Sequence, residues 1–315
     1  MADIGKDITR AQQLLLDGHL VAIPTETVYG LAANALNEKA VLEIFKAKNR
    51  PHFDPLIVHV SGLAQAETLV ESIPDIVKTL TQKFWPGPLT VLLPKKEIVP
   101  DLVTSGLNTV GLRCPDHTLT LELLKNLPFP LAAPSANPFG YVSPTTPQHV
   151  NEQLGDKVSY ILDGGECRVG IESTILGFEN TPTVYRLGGL TLEALEPITG
   201  LLHVQLNSSS NPHAPGQLQS HYAPRKKILL GTREQLLAHS YLKAGTIVFQ
   251  NQLPGISDVK QVILSPSGNL EEAAQHLFAA LRQLDKTDVE IILAELVPET
   301  GLGRAINDRL RRAAH

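Results

Sequence analysis

Two short clusters hold much of the chain's potential for chemistry. Lys48-Asn49-Arg50-Pro51 places two cations at the end of a helical pattern, and Pro134-Ser135-Ala136-Asn137-Pro138 offers a hydroxyl and an amide in a turn. Two fixed cations, one hydroxyl and one amide are the groups that hold the triphosphate and sugar of a nucleotide. Each cluster also has a plainer reading. Cations at a helix C-terminus offset the negative end of the helix dipole, and Ser, Asn, Pro and Gly are the usual turn residues. What favours chemistry at the first cluster is its setting: Pro51 restricts the backbone after Arg50, and Asp54-Pro55 turns the chain into the apolar run Leu56 to Val60. A guanidinium fixed at a sheet edge meets a phosphate in a defined geometry.

Five further groups could complete such a site. Thr25-Glu26-Thr27 follows an apolar strand, where a pair of hydroxyls can satisfy the polar groups of an amino acid. His59 lies inside an apolar strand; it has no neighbour at metal-ligand spacing, and a lone histidine there is ordinarily a satisfied core residue. Arg113 ends the run Thr109-Val110-Gly111-Leu112, and its fork fits a carboxylate in bidentate fashion, the alternative being a surface ion pair. Ser143 could give a hydroxyl to phosphate or cap the next helix. Arg186 offers another cation, with a peripheral ion pair as its plain alternative. Gly301-Leu302-Gly303 resembles part of a dinucleotide loop, but only a final helix follows, so it reads as a helix entry. There is no Walker loop, nucleophile elbow or zinc motif.

The elements that must position these groups follow from periodicity. Residues 8–17, 38–48 and 74–84 read as helices, and 20–23, 56–60, 90–93, 110–113, 131–133 and 160–162 as short strands. This mixture predicts an α/β domain with a mixed sheet. Composition changes near His203, and residues 207–216 are polar and rich in breakers, as in a linker. A second rhythm follows: strands at 228–230, 246–249, 262–264 and 291–293, and helices at 233–242, 270–284 and 304–314, with a small doubly wound look. The expected domains are 1–202, a linker over 203–225, and 226–315.

Bulk properties exclude several classes. With 315 residues, 43% hydrophobic and 19% charged, the chain is an ordinary globular protein long enough for two domains. A net charge of −5 argues against a general polyanion-binding surface, so any anion site must be a local pocket. The only cysteines, Cys114 and Cys167, are too few for a disulfide scaffold and read as reduced and structural. The N-terminus lacks the apolar core of a signal peptide, and no run is long and apolar enough to span a membrane.

Taken with Pro24-Thr25-Glu26-Thr27-Val28-Tyr29-Gly30-Leu31 and Phe84-Trp85-Pro86-Gly87-Pro88-Leu89-Thr90, the clusters occur in a specific order and wording. By them the chain resembles the threonylcarbamoyl-AMP synthase family in its long form, over nearly its whole length. The resemblance implies a YrdC-like domain with a twisted mixed sheet, then a linker and a small Rossmann-like α/β domain. It implies an L-threonylcarbamoyladenylate synthase, a nucleotidyltransferase of the cytoplasm that joins L-threonine, bicarbonate or carbon dioxide, and ATP with Mg2+, and releases pyrophosphate. The product would serve threonylcarbamoyladenosine modification of tRNA through a separate transferase, with at most weak tRNA contact and no membrane or protein-held metal.

Carried over residue by residue, the resemblance assigns Lys48 and Arg50 to catalysis and to ATP, along with Asp54, Thr109, Ser135, Asn137, Ser143, Arg186 and Tyr222. It assigns Thr27, His59, Arg113, Ala133 and Ser173 to threonine. Family linkers often carry Pro-Gly-Met and a basic residue before His-Tyr-x-Pro. Here Gln217, Leu218 and Gln219 are uncharged, so Tyr222 is the better candidate for covering the nucleotide. The linker is expected to act as a lid, with the C-terminal helix distant from the site. A competing reading is an RNA-binding module of the same fold without synthase activity, which the acidic net charge opposes. Another is the carbamoyl-adenylate enzyme of hydrogenase maturation, whose zinc-finger and acylphosphatase segments this chain lacks.

Overall fold

The computed structural model describes residues 1–206, 214–218, 220–239, 243–257 and 260–315. Eleven strands form the first sheet: β1 (Asp3–Gly5), β2 (Val21–Ile23), β3 (Gly30–Asn34), β4 (Ile57–His59), β5 (Leu89–Pro94), β6 (Thr109–Arg113), β7 (Leu131–Ala132), β8 (Tyr160–Leu162), β9 (Thr174–Gly177), β10 (Thr183–Arg186) and β11 (His203–Val204). Their order is β1-β8-β2-β3-β7-β4-β6-β5-β9-β10-β11. Pairings are mixed: β4 runs parallel to β6, while β5 and β6 are antiparallel. The second sheet is all parallel, with β12 (Lys227–Gly231), β13 (Ala244–Val248), β14 (Gln261–Ile263) and β15 (Ile291–Glu295) in the order β12-β15-β13-β14. This is the expected mixed α/β domain followed by a small parallel α/β domain.

Register builds the working face of the first sheet. Ile57 pairs with Gly111 and His59 with Arg113 across β4 and β6. Leu92 pairs with Gly111 and Pro94 with Thr109 across β5 and β6. Leu92 also pairs with Gly177, and Thr90 with Ile175, across β5 and β9. Because side chains alternate along a strand, His59, Ile57, Arg113, Gly111, Thr109, Thr90, Leu92, Ile175 and Gly177 share one face. A single groove can therefore run from Arg113 at one end to Thr109 at the other.

The helix Glu38–Lys48 has the bounds its apolar spacing predicts. The Asn37 side chain caps its first turn by accepting from the Lys39 and Ala40 amides. It ends at Asn49, which has a left-handed φ of 52° and donates to Phe45 O and Lys46 O. The stop is thus made two residues before Pro51. The strand β3 was not expected: Gly30-Leu31-Ala32-Ala33-Asn34 is poor in β-branched residues, and pairing with β2 and β7 overrides that propensity. The predicted helix at 233–242 is described only over Arg233–Leu237, and residues 240–242 lie outside the described residues, as do 207–213 of the linker. The final helix, Gly303–Ala313, is anchored by Asn307, whose buried side chain accepts from the Val297 amide and donates to its carbonyl.

The two domains share one apolar cluster, in which Tyr222 joins Val142 and Ile171 to Phe278, Ile306 and Leu310. Each fully buried Leu, Ile or Phe in such a cluster contributes about 1.5–3 kcal/mol. Polar ties cross the same boundary. Tyr141 donates to Asp285 Oδ2 at 2.6 Å, and Arg282 Nε to Ser143 O at 3.2 Å. The backbones crowd at Gly170, whose φ is +78° and where a Cβ would lie 2.3 Å from Gln275 Cα and 2.6 Å from Ala274 O. Gly170→Val should therefore destabilise the chain by more than about 2 kcal/mol, from backbone strain and lost docking together. Calorimetry should show the melting transition lowered and split as the domains uncouple; one unshifted transition would contradict this shared boundary.

Candidate active site

An inner cavity of about 50 Å3 opens at the Arg113 end of the groove. Its walls include Thr25, Arg50, Ile57, His59, Arg113, Ala133, Ser135, Glu172 and Arg186, and the linker residues Pro215, Gly216, His221 and Tyr222 reach across it. Of the residues predicted from sequence, Arg50, His59, Arg113, Ala133, Ser135, Arg186 and Tyr222 line this space. Thr27, Lys48, Asp54, Asn137, Ser143 and Ser173 are absent from its wall, and most of them bond to residues that form it.

Arg113 meets Glu26, whose Oε2 lies 2.7 Å from Arg113 Nη2 with both side chains buried. Glu26 Oε2 also accepts from the Asp116 amide at 3.0 Å. The contact with Arg113 is not aligned as a hydrogen bond, so Arg113 Nε and Nη2 remain buried donors without hydrogen-bond partners. Donors in that state beside a cavity favour a carboxylate. His59 stands next to Arg113 on the adjacent strand. Burial, and then the Arg113 charge, press its pKa down to about 3, so the ring is neutral near pH 7. Thr25 Oγ1 binds Thr27 Oγ1 at 2.9 Å and donates to Val28 O at 2.7 Å, which fixes the turn that faces them.

The cations are held from behind. Arg50 Nε donates to Asp54 O at 3.1 Å and Nη2 to Pro55 O at 2.8 Å, with Asp54 Oδ2 at 2.9 Å from Nη2. Burial lowers the Arg50 pKa and raises that of Asp54. Lys48 Nζ donates to Ser135 O and Asn137 O, each at 2.5 Å, and so braces the Pro134–Pro138 turn instead of lining the cavity. Burial, then the Arg50 charge, hold the Lys48 pKa well below its usual value. Asn137 Nδ2 donates to Pro138 O and Tyr141 O. Arg186 clasps Ser173 through Nε to its carbonyl and Nη2 to its hydroxyl, both at 3.0 Å, and reaches Pro215 O at 3.3 Å. Ser143 donates to Glu172 Oε1 at 2.6 Å. Its proton is thereby committed, and only lone pairs remain to offer elsewhere.

Thr109 is not with the others. It lines an outer cavity of about 310 Å3 at the far end of the same face, with Leu92, Pro94, Gly177, Phe178 and Tyr185. Gly177 leaves the room there, since a Cβ would sit 2.6 Å from Tyr185 Cε2. The linker residue Ala214 packs with Ile57, Leu92 and Ile175 between the two cavities.

Tyr222 packs inward. It is 1% exposed, has a left-handed φ of 64°, stacks on Phe278 at 5.5 Å and meets His221 edge-on at 4.1 Å. Burial, then the Glu172 charge, push its pKa up to about 12. The expectation of a distant C-terminal helix is overturned: Arg309 of that helix lies 5.2 Å over the Tyr222 ring, and Arg312 Nη1 binds Leu218 O at 2.6 Å. Sequence reasoning also missed Glu26, Glu172 and His221. Glu26 and Glu172 each adjoin a residue that was chosen, and His221 precedes Tyr222, so adjacency was the available signal.

Among the described residues, no group of three or more His, Cys, Asp or Glu could hold a metal ion. No helix among them is long and apolar enough to cross a membrane. Cys114 and Cys167 are both buried and unbridged.

Comparison with known proteins gives a consistent result. A family model described as "Telomere recombination" matches residues 13–188, and one described as "Threonylcarbamoyl-AMP synthase, C-terminal domain" matches 190–315. A Pyrococcus abyssi protein named threonylcarbamoyl-AMP synthase is 43% identical over 96% of this chain and 93% of its own. A Bacillus subtilis protein of the same name is 40% identical over 98% and 92%. The crystal structure of P. abyssi Sua5 complexed with L-threonine superposes with a TM-score of 0.91 at 40% identity, covering 99% of this chain and 97% of that one.

His59 supplies a test of the site's electrostatics. An unfolded histidine takes up a proton near pH 6.5, whereas folded His59 resists it down to about 3. Its contribution to stability is therefore intact above pH 6.5 and is lost as pH falls, reaching about 2 kcal/mol near pH 5. Urea unfolding should show the stability difference between wild type and His59→Gln shrinking by that amount from about pH 7.5 to about pH 5. A pH-independent difference would mean that the folded ring takes up its proton as readily as the unfolded one.

Proposed function

The chain belongs to the threonylcarbamoyl-AMP synthase family in its two-domain form, and from that premise we propose that it makes threonylcarbamoyl-AMP and pyrophosphate from L-threonine, bicarbonate and ATP. The observation that carries the reading is Arg113: a buried guanidinium whose Nε has no hydrogen-bond partner, and whose Nη2 is ion-paired to Glu26 without an aligned hydrogen bond, beside a cavity whose other wall holds Arg50 and Arg186. A carboxylate fits the first and phosphates fit the second.

The placement of Arg113 constrains the chemistry. With the threonine carboxylate on Arg113, the amine is the group free to react. It captures carbon dioxide derived from bicarbonate, forming an N–C bond and losing a proton, to give a carbamate. A carbamate oxygen then attacks the α-phosphorus of ATP; the new P–O bond forms as the bond to the β-phosphate breaks, and pyrophosphate leaves. Charge spreads over phosphoryl oxygens in such a step, so positioning and fixed cations do most of the work. Arg50 and Arg186 are the cations at the cavity, each already oriented by its own partners. Ser135 lines the cavity; Asp54, Asn137, Lys48, Ser143 and Ser173 hold that lining in place. Neutral His59 and the Thr25–Thr27 turn bound the amino-acid end, with Ala133 as a small wall. Thr109 and the outer cavity take the nucleoside end of ATP. Magnesium enters with ATP as part of the substrate.

The inner cavity has room for only a few waters. ATP therefore enters when the linker lifts, and closure of Pro215, Gly216, His221 and Tyr222 over the cavity excludes water from the carbamate. A separate transferase in the cytoplasm carries the threonylcarbamoyl group to tRNA.

Pyrophosphate release should need both threonine and bicarbonate, and inorganic phosphate release without an adenylate would sink the reading. Binding should also divide by residue. Arg50→Ala, made with Asp54→Asn so that no carboxylate is stranded, should weaken ATP binding by about 10–100-fold and threonine binding by less than about threefold. Arg113→Ala should do the reverse. Equal losses for both ligands in both variants would show that the cavity is partitioned wrongly.

A further inference from the structure

Two buried arginines of the second domain converge on one residue of the first. Arg282, on the helix Leu270–Asp285, donates through Nε to Ser143 O at 3.2 Å and through Nη2 to Val142 O and, at 3.0 Å, to Gln153 Oε1. Arg309, on the final helix, donates through Nε to Glu172 Oε2 at 3.2 Å, and the other carboxylate oxygen accepts the Ser143 hydroxyl at 2.6 Å. The Ser143 carbonyl is thus held by one arginine and its hydroxyl, through Glu172, by the other. Arg309 is fully buried; its Nη1 binds Asp308 Oδ2 at 3.0 Å, and its guanidinium lies over Tyr222.

Glu172 is the pivot. It lines the inner cavity beside Arg186 and immediately precedes Ser173, which Arg186 clasps. A carboxylate on the wall of a polyanion site is unfavourable unless a cation neutralises and orients it. Arg309 supplies that cation from behind, without facing the cavity itself. With Glu172 so fixed, Ser143 has one orientation, and the face of Tyr222 is set by the same guanidinium.

We propose that Arg309 is a positioning residue of the nucleotide site, acting through Glu172 on Ser143 and directly on Tyr222, so that the second domain builds one wall of the site in addition to supporting the linker. This rests on the ATP-site reading above. A residue that served only stability would weaken both substrates alike; one that positions the nucleotide wall weakens ATP selectively and does so through Ser143.

The test is a double-mutant cycle in the full chain, read by calorimetric binding of an α,β-methylene ATP analogue with magnesium and, separately, of L-threonine. Arg309→Met should weaken analogue binding by about tenfold and threonine binding by less than about twofold, with Arg309→Lys in between. Ser143→Ala should weaken the analogue by itself, and adding Arg309→Met should cost less than about threefold more. Equal losses for both ligands, additive losses in the cycle, or no loss in either single variant would overturn the proposal. If Arg309→Met does not fold, the same cycle with Arg309→Lys decides on the same criteria. Failure of the wild-type chain to bind the analogue would instead overturn the ATP-site reading, and this proposal with it.

Discussion

Buried positive charge in excess is the constraint around which this molecule is organised. Lys48, Arg50, Arg113, Arg186 and Arg309 gather around one cavity, and among the described residues Glu26, Asp54, Glu172 and, on Arg309, Asp308 answer them, so that cations still outnumber the carboxylates paired with them. Burying an ion costs several kcal/mol even after relaxation, and burial accordingly loosens the protons of Lys48, Arg50 and Arg186. In a chain whose net charge is −5, so concentrated a local excess is costly unless an anion completes it. A triphosphate and an amino-acid carboxylate supply that charge. The carboxylates present act mainly as orienters: Asp54 on Arg50, Glu26 on Arg113, Glu172 on Arg309 and Ser143.

The fold meets this constraint with layers. One face of the sheet provides a groove whose ends are set by strand register, with Arg113 and His59 at one end and Thr109 at the other. Behind the lining, backbone carbonyls hold the cations, as Ser135 O and Asn137 O hold Lys48. Across the top lies the linker, and behind the linker the final helix reaches it with Arg309 and Arg312. The second domain is therefore continuous with the site in both packing and charge. Holding non-glycine Tyr222 at a positive φ costs about 1–2 kcal/mol, which its contacts with Phe278 and Arg309 offset.

What could be read from sequence divides along the same layers. Local pattern gave the α/β alternation and the bounds of the Glu38–Lys48 helix, because that helix carries its own cap and apolar face. Motif order named seven of the sixteen residues of the cavity wall, from Arg50 to Tyr222. The support given by the second domain was not legible. Arg309 and Glu172 lie 137 residues apart, and Arg282 and Ser143 lie 139 apart, so nothing local pairs them. Lys48 shows a subtler limit: its cation was visible, but that it points at turn carbonyls instead of the cavity follows from the Asn49 reversal and the folded turn at Ser135. Strand β3 was missed because pairing on both sides, not propensity, makes it a strand.

The central claim is that Arg113 occupies the threonine carboxylate and leaves the amine to react. Isotope tracing tests it directly. The protein would be given ATP, magnesium, unlabelled threonine and 13C-bicarbonate, and the adenylate analysed by mass spectrometry before it decays. The account predicts an adenylate containing threonine and one 13C atom, joined to AMP through a carbamate oxygen. A threonyl adenylate without 13C, joined through threonine's own carboxylate, would contradict it, because that carboxylate could not then be resting on Arg113.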